Sequence, residues 1–315
     1  MRTTPSDLAD PVCSAGVDTA ATEELAAAYH RSLARLLVNQ LDRASRPGMH
    51  DLIRPVRRLT PATVYSAYKG ANGDPDEVTR HLRAAAALGP ATVYDGPHDS
   101  VWLRGGLQQA LRSLDWGDEE IGTVVTELPG EVRAALESAR QALRICWPEA
   151  WAEHNTLIHH LVFTRAPLRS ATVQTTFGAV YAEVEEAADP LRTYELLLHE
   201  SAHHALALRE QFTRFLDNPD AVGTHALRPD PRPLRGVLHA AFVMCRIADG
   251  ITRYRQHHPS GGPLDGCPLR ERRQFAMGSL HAALNVLDAS AHWTEDGRAL
   301  RGSLKEYAAR LERQS

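Results

Sequence analysis

One helical turn constrains this chain more than any other feature. His199-Glu200-Ser201-Ala202-His203 stands inside a run that Asp189 should cap, Pro190 should open, and Leu196, Leu197, Leu198, Ala202, Ala205 and Leu206 should bury. Residues four apart on a helix lie one above the other, so His199 and His203 can direct two imidazoles at one metal ion with Glu200 beside them. By composition alone such a motif arises in about one chain in twenty of this kind, so the helical context has to carry the argument. The apolar neighbours on both sides argue against a solvated surface turn, because bare imidazoles and a carboxylate are costly to bury.

The rest of the 315 residues must build around that turn, and they suffice for one large domain or two small ones. From Thr22 to Ala44 the spacing of Leu25, Tyr29, Leu33 and Leu41 predicts a helix, and further helices are expected at Asp76 to Leu88, Val101 to Leu114 and Glu131 to Ile145. Residues 1–150 thus read as a helical N-terminal region, a layer suited to substrate binding, and residues 151–315 as the metal-binding catalytic region with C-terminal helices. Leu157 to Thr164, Ala171 to Thr176 and Gly178 to Val184 are expected strands. Phe215 to Pro233 reads as a loop that three prolines at 229, 231 and 233 hold extended, feeding a second long helix from Leu234 to about Gln256. Helices from Leu269 to Leu287 and from Arg298 to Arg313 close the chain. The expected class is α+β with helix in excess. Short antiparallel strands would lie next to the long motif helix and a second ligand-bearing helix, and a zincin-like core is one form of this.

Composition removes several functions. Lys plus Arg number 35 against 39 for Asp plus Glu, a net charge of −4 that gives no overall footprint for nucleic acid or an anionic membrane. The basic cluster Arg270, Arg272 and Arg273 reads as a solvated helix face. Cys13, Cys146, Cys245 and Cys267 form no C-x-x-C pair, and Met1 to Pro11 lacks the apolar stretch of an export signal, so a cytoplasmic protein is expected. No apolar run approaches the ~20 residues of a membrane span.

Two histidines need a further protein ligand. A metzincin would place Gly and His where this chain has Leu206 and Arg209, and a gluzincin's later Glu is missing, since no Glu occurs between Glu210 and Glu271. His239 stands in that window, on the second long helix, and is the preferred third ligand; His225, His281 and Asp249 are alternatives. His204, about 100° around the helix from His203, reads as structural.

The order Leu198 to His204, a connecting loop, then Arg228-Pro229-Asp230-Pro231-Arg232-Pro233-Leu234-Arg235-Gly236 and on to Phe242 resembles the bacterial HExxH-motif family associated with ribosomally made, post-translationally modified peptides. The resemblance covers about residues 165–256. It implies a non-haem Fe(II)- and 2-oxoglutarate-dependent oxygenase that hydroxylates a side-chain β-carbon, with O2 as oxidant and a peptide or carrier-bound amino acid as substrate. It implies His199, His203 and His239 as iron ligands, with Glu200 next to the metal. The far carboxylate of 2-oxoglutarate calls for an arginine fork, and Arg235 and then Arg232 are the preferred anchors, ahead of Arg228 and Arg246. Two alternatives remain: a Zn(II)-dependent hydrolase or peptidase with Glu200 as general base, and a binding protein whose metal only orders the fold.

Overall fold

The structure, a computed structural model, describes residues 12–43, 74, 76, 78, 80, 93–94, 101–112, 124–125, 127–165, 168–173, 176–225, 228–264 and 268–314. It is helix-rich α+β. The elements in chain order are α1 (Thr19–Arg43), β1 (Val93–Tyr94), α2 (Val101–Arg112), α3 (Gly130–Cys146), α4 (Pro148–Leu157), β2 (His160–Thr164), β3 (Ser170–Ala171), β4 (Ala179–Glu183), α5 (Pro190–Arg209), β5 (Val222–His225), β6 (Arg228–Pro233), α6 (Leu234–His257), α7 (Leu269–Ser290) and α8 (Glu295–Arg313). The helix expected at Asp76 to Leu88 is helical at 76, 78 and 80, and its remainder lies outside the described residues. No described helix is long and apolar enough to cross a membrane.

The chain divides into two compact units that interleave in sequence: residues 1–23, 136–154 and 190–315 form one, and residues 24–135 and 155–189 the other. The second unit holds a four-stranded sheet of order β1-β2-β4-β3. Antiparallel strands were expected, but only β3 against β4 is antiparallel; β2 runs parallel to both β1 and β4. The connection from residue 165 to residue 178 is long enough for the crossover that parallel neighbours require. Parallel pairing also explains why β2 is buried along its whole length and β4 up to Ala182. Leu107 and Leu111 of α2 pack on Val162, Ala179 and Tyr181. Gly106 permits that approach: a Cβ there would lie 2.0 Å from the Tyr181 hydroxyl oxygen.

The first unit is a helical assembly in which α5 packs on α6, and α6 also packs on α7 and α8. Tyr194 on α5 donates a hydrogen bond to the Gly250 carbonyl on α6 at 3.0 Å. Gly250 is what lets the two axes close, because a Cβ there would meet Leu198 Cδ1 at 2.3 Å. The segment 215–233 corrects the loop expectation: β5 and β6 form an antiparallel hairpin, with Val222 opposite Pro233 and His225 opposite Arg228. The three prolines sit at alternate positions, so their missing N–H groups fall on one edge of β6 and the donors of Asp230 and Arg232 on the other. At the far end, the Thr294 hydroxyl accepts from the Gly297 N–H at 3.0 Å and caps α8.

Candidate metal centre

Adjacent residues of α4 grip both helices that carry the motif residues. Glu153 forms an ion pair with Arg246 of α6 at 2.9 Å, with both side chains almost fully buried. His154 Nδ1 lies 2.8 Å from the Ser201 hydroxyl in the middle of the motif turn, and that hydroxyl donates to the Leu197 carbonyl at 2.7 Å. Because the hydroxyl spends its proton on Leu197, His154 Nδ1 must be the donor to it. Arg246 also donates to the carbonyls of Ala15 at 3.1 Å and Gly16 at 2.9 Å, which ties down the chain ahead of α1.

On α5, His199, His203 and Glu210 recur at intervals of four and seven and so share one face. Glu210 follows the last residue of α5, with its N–H still bonded to the Leu206 carbonyl at 3.0 Å. Across from that face stand Arg235 and His239, four apart on α6. His203 Nε2 lies 3.0 Å from His199 Nε2, while its other nitrogen, Nδ1, lies 3.1 Å from His239 Nδ1. His239 Nε2 in turn lies 3.2 Å from Glu210 Oε2. Arg235 closes the row, donating from Nε to both Glu210 oxygens at 3.1 Å and from Nη2 to Oε2 at 2.7 Å.

Burial, reinforced by His199, His239 and His204, holds the His203 imidazole well below its ordinary pKa, so it is neutral and able to act as a ligand. Burial alone would raise the Glu210 carboxyl, but hydrogen bonds from His239 and Arg235 outweigh it and hold the group down at about 2. Glu210 is therefore a carboxylate at any ordinary pH. Glu200 is buried, and its Oε1 is 3.9 Å from His199 Nε2. His204 Nδ1 lies 2.8 Å from the Glu200 carbonyl, which occupies it within the helix.

The His199 and His203 Nε2 atoms have the spacing that two metal–nitrogen bonds of roughly 2.0–2.1 Å span. Those two side chains fit a metal ion. His239 stands against the opposite nitrogen of His203, and among the described residues no group of three or more His, Cys, Asp or Glu side chains is arranged as a complete metal site. The remaining candidates lie elsewhere. Asp249 accepts from Tyr307 at 2.6 Å, Arg310 at 3.0 Å and Arg253 at 3.1 Å. His281 pairs with Glu312 at 3.1 Å, and the His225 side chain lies outside the described residues. Arg232 is exposed near the end of β6 and Arg235 is engaged with Glu210. The basic cluster is a solvated face only at Arg270, which is exposed; Arg272 pairs with Glu195, and Arg273 is buried, donating to Thr252 at 2.7 Å.

Glu210, Ser201 and His154 went unread in the sequence. Glu210 carried a usable signal, since it lies two turns beyond His203 on the same face. No family model matches the chain, and no curated protein matches it.

Proposed function

We propose that this chain is an Fe(II)- and 2-oxoglutarate-dependent oxygenase that hydroxylates a side-chain β-carbon of a peptide, a step in the maturation of a peptide natural product. The observation that carries the metal centre is the pair of Nε2 atoms 3.0 Å apart on one buried helix, with the Glu200 carboxylate beside them. The order of the motif and the Arg228 to Phe242 segment supports the choice of chemistry. His199 and His203 would hold the ion, and His239, the expected third ligand, stands against His203. Bound iron would supply oxidative decarboxylation of 2-oxoglutarate to succinate, coupled to insertion of a hydroxyl group. Of the two arginines that flank the junction of β6 and α6, Arg232 would supply positive charge for the far carboxylate of the keto acid, while Arg235 is taken up by Glu210. On this turn Glu200 is buried, whereas the His199 side chain is 34% exposed and so remains open to an incoming substrate.

The placement of Glu200 also favours a second reading, a zinc hydrolase. A buried carboxylate 3.9 Å from a ligand nitrogen is where a general base would activate water. Anaerobically purified protein given Fe(II), 2-oxoglutarate and O2 decides between them. Succinate formation that disappears in His203→Ala supports the oxygenase. Absence of succinate with tightly held zinc and oxygen-independent peptide cleavage supports the hydrolase.

A further inference from the structure

Arg209, the last residue of α5, is a charged side chain at 0% exposure. Its Nη1 donates to the Ala205 carbonyl at 2.8 Å, while Nε and Nη2 have no partner among the described residues. Those two nitrogens make up one edge of the planar guanidinium, and their parallel N–H groups match the two oxygens of a carboxylate. The same edge is used in that way twice elsewhere in this protein. Nε and Nη2 of Arg235 grip the Glu210 carboxylate, and Nε and Nη2 of Arg272 grip that of Glu195.

The surrounding charges do not balance either. Arg209 and Arg246 both bring Cζ close to the Phe242 ring of α6, at 5.6 and 5.1 Å from its centroid. Burial draws the Arg209 guanidinium down only to about 10, so it is a cation at neutral pH, and Glu153 is the carboxylate that does most to offset that burial. Both Glu153 oxygens are committed, Oε1 to Arg246 at 2.9 Å and Oε2 to the Thr22 hydroxyl at 3.1 Å. Asp18 acts more weakly, from an exposed position where its Oδ1 accepts from the Ala21 N–H at 3.0 Å. Two buried cations thus share one buried carboxylate, a costly combination unless a further anion joins them. We infer that the free edge of Arg209 binds the carboxylate of a small ligand, forming a buried carboxylate site where the end of α5 meets Phe242 and Arg246 of α6. Formate is the simplest such ligand, and a keto acid brings the same group. The site requires no metal. Because Arg209 is wholly covered, a ligand enters only when the covering chain opens, so exchange there is slow.

The test follows the arginine Nε–H signals of the full chain, labelled with nitrogen-15 arginine and free of metal, as sodium formate replaces sodium chloride at constant ionic strength. The Arg209 signal is assigned by its loss in Arg209→Lys or Arg209→Met, whichever folds. Formate should replace that signal with a second one, saturably and in slow exchange, and should raise the melting temperature of the wild type. Arg209→Met should lose the melting response, and Arg209→Lys, which keeps the charge without the fork, should bind formate roughly tenfold more weakly, the loss of one charge-assisted hydrogen bond. A titration with 2-oxoglutarate separates the two sources of the carboxylate. Displacement of formate by the keto acid would support the site as an anchor for that compound, and saturation by formate alone would support it as a site for a free small carboxylate. An Arg209 signal that neither carboxylate alters, the same saturable change with chloride alone, or wild-type formate affinity in Arg209→Lys would each overturn the inference. None of these outcomes touches the metal reading, since no arm contains a metal ion.

Discussion

Removing the Arg246 side chain tests whether α4 holds the two motif helices in place. Arg246 and Glu153 are 3% and 2% exposed and 2.9 Å apart, so Arg246→Met leaves a carboxylate uncompensated in the interior. Breaking a buried pair in this way costs roughly 3–5 kcal/mol. Glu153 keeps the Thr22 hydroxyl at 3.1 Å and the nearby charge of the buried Arg209, which softens the loss. The carbonyls of Ala15 and Gly16 lose their donor, at roughly 1 kcal/mol each. The expected total is about 4 kcal/mol, against a typical stability of roughly 5–15 kcal/mol.

Urea unfolding at constant m-value reads this directly. The sharper arm is the pair Glu153→Leu and Arg246→Met together. With both charges gone only the two carbonyls are left wanting, so the double variant should be more stable than Arg246→Met alone. Because Glu153 precedes His154, which holds Ser201 in the motif turn, metal affinity should fall with Arg246→Met and return in part with the double variant. A single-variant loss below about 1 kcal/mol, or a double variant that loses the sum of the two, would refute the reasoning.

Ser201→Ala strips the acceptor from the His154 donor and should cost about 1–3 kcal/mol, measured by urea unfolding, with the far-ultraviolet helix signal unchanged. Gly250→Val places a Cβ 2.3 Å from Leu198 Cδ1, one residue from His199; it should cost about 1–3 kcal/mol and lower the melting temperature, whereas an unchanged melt would mean α5 and α6 are not in close contact there. His159 is pushed down from 6.5 to about 4, chiefly by burial and then by His30. The unfolded chain takes up that proton near pH 6.5 and the folded one only near 4, so stability should be full above pH 6.5 and fall by about 3 kcal/mol toward pH 4. His159→Gln should flatten that part of the profile, and an unaltered slope would assign the acid sensitivity to other groups.

The helices were legible because their apolar spacing reports burial on one side. The α1, α5 and α6 ends fall within a few residues of those read from caps and breakers. Pairing was not legible, for two physical reasons. β4 presents the same short run of Val, Ala and Tyr to a parallel partner as to an antiparallel one, and which neighbour lies beside it depends on where the chain crosses over. The prolines of β6 point to a loop in the sequence, yet a two-stranded hairpin uses only one edge of each strand and tolerates missing donors on the other. The candidate site divides along a similar line. Spacing put His199 and His203 on one face and singled out His239, because period 3.6 is a property of the backbone. Ring orientation is a property of the partners. Glu210 escapes the search for a third ligand on a later helix, because the acid lies at the end of the motif helix itself, 3.2 Å from His239 Nε2. Reading each helix as a stripe rather than as a motif, 199, 203 and 210 against 235 and 239, would have placed all five side chains together. It would still not have said which nitrogen of each ring faces which neighbour, because that is decided by the side chains that meet across the two helices.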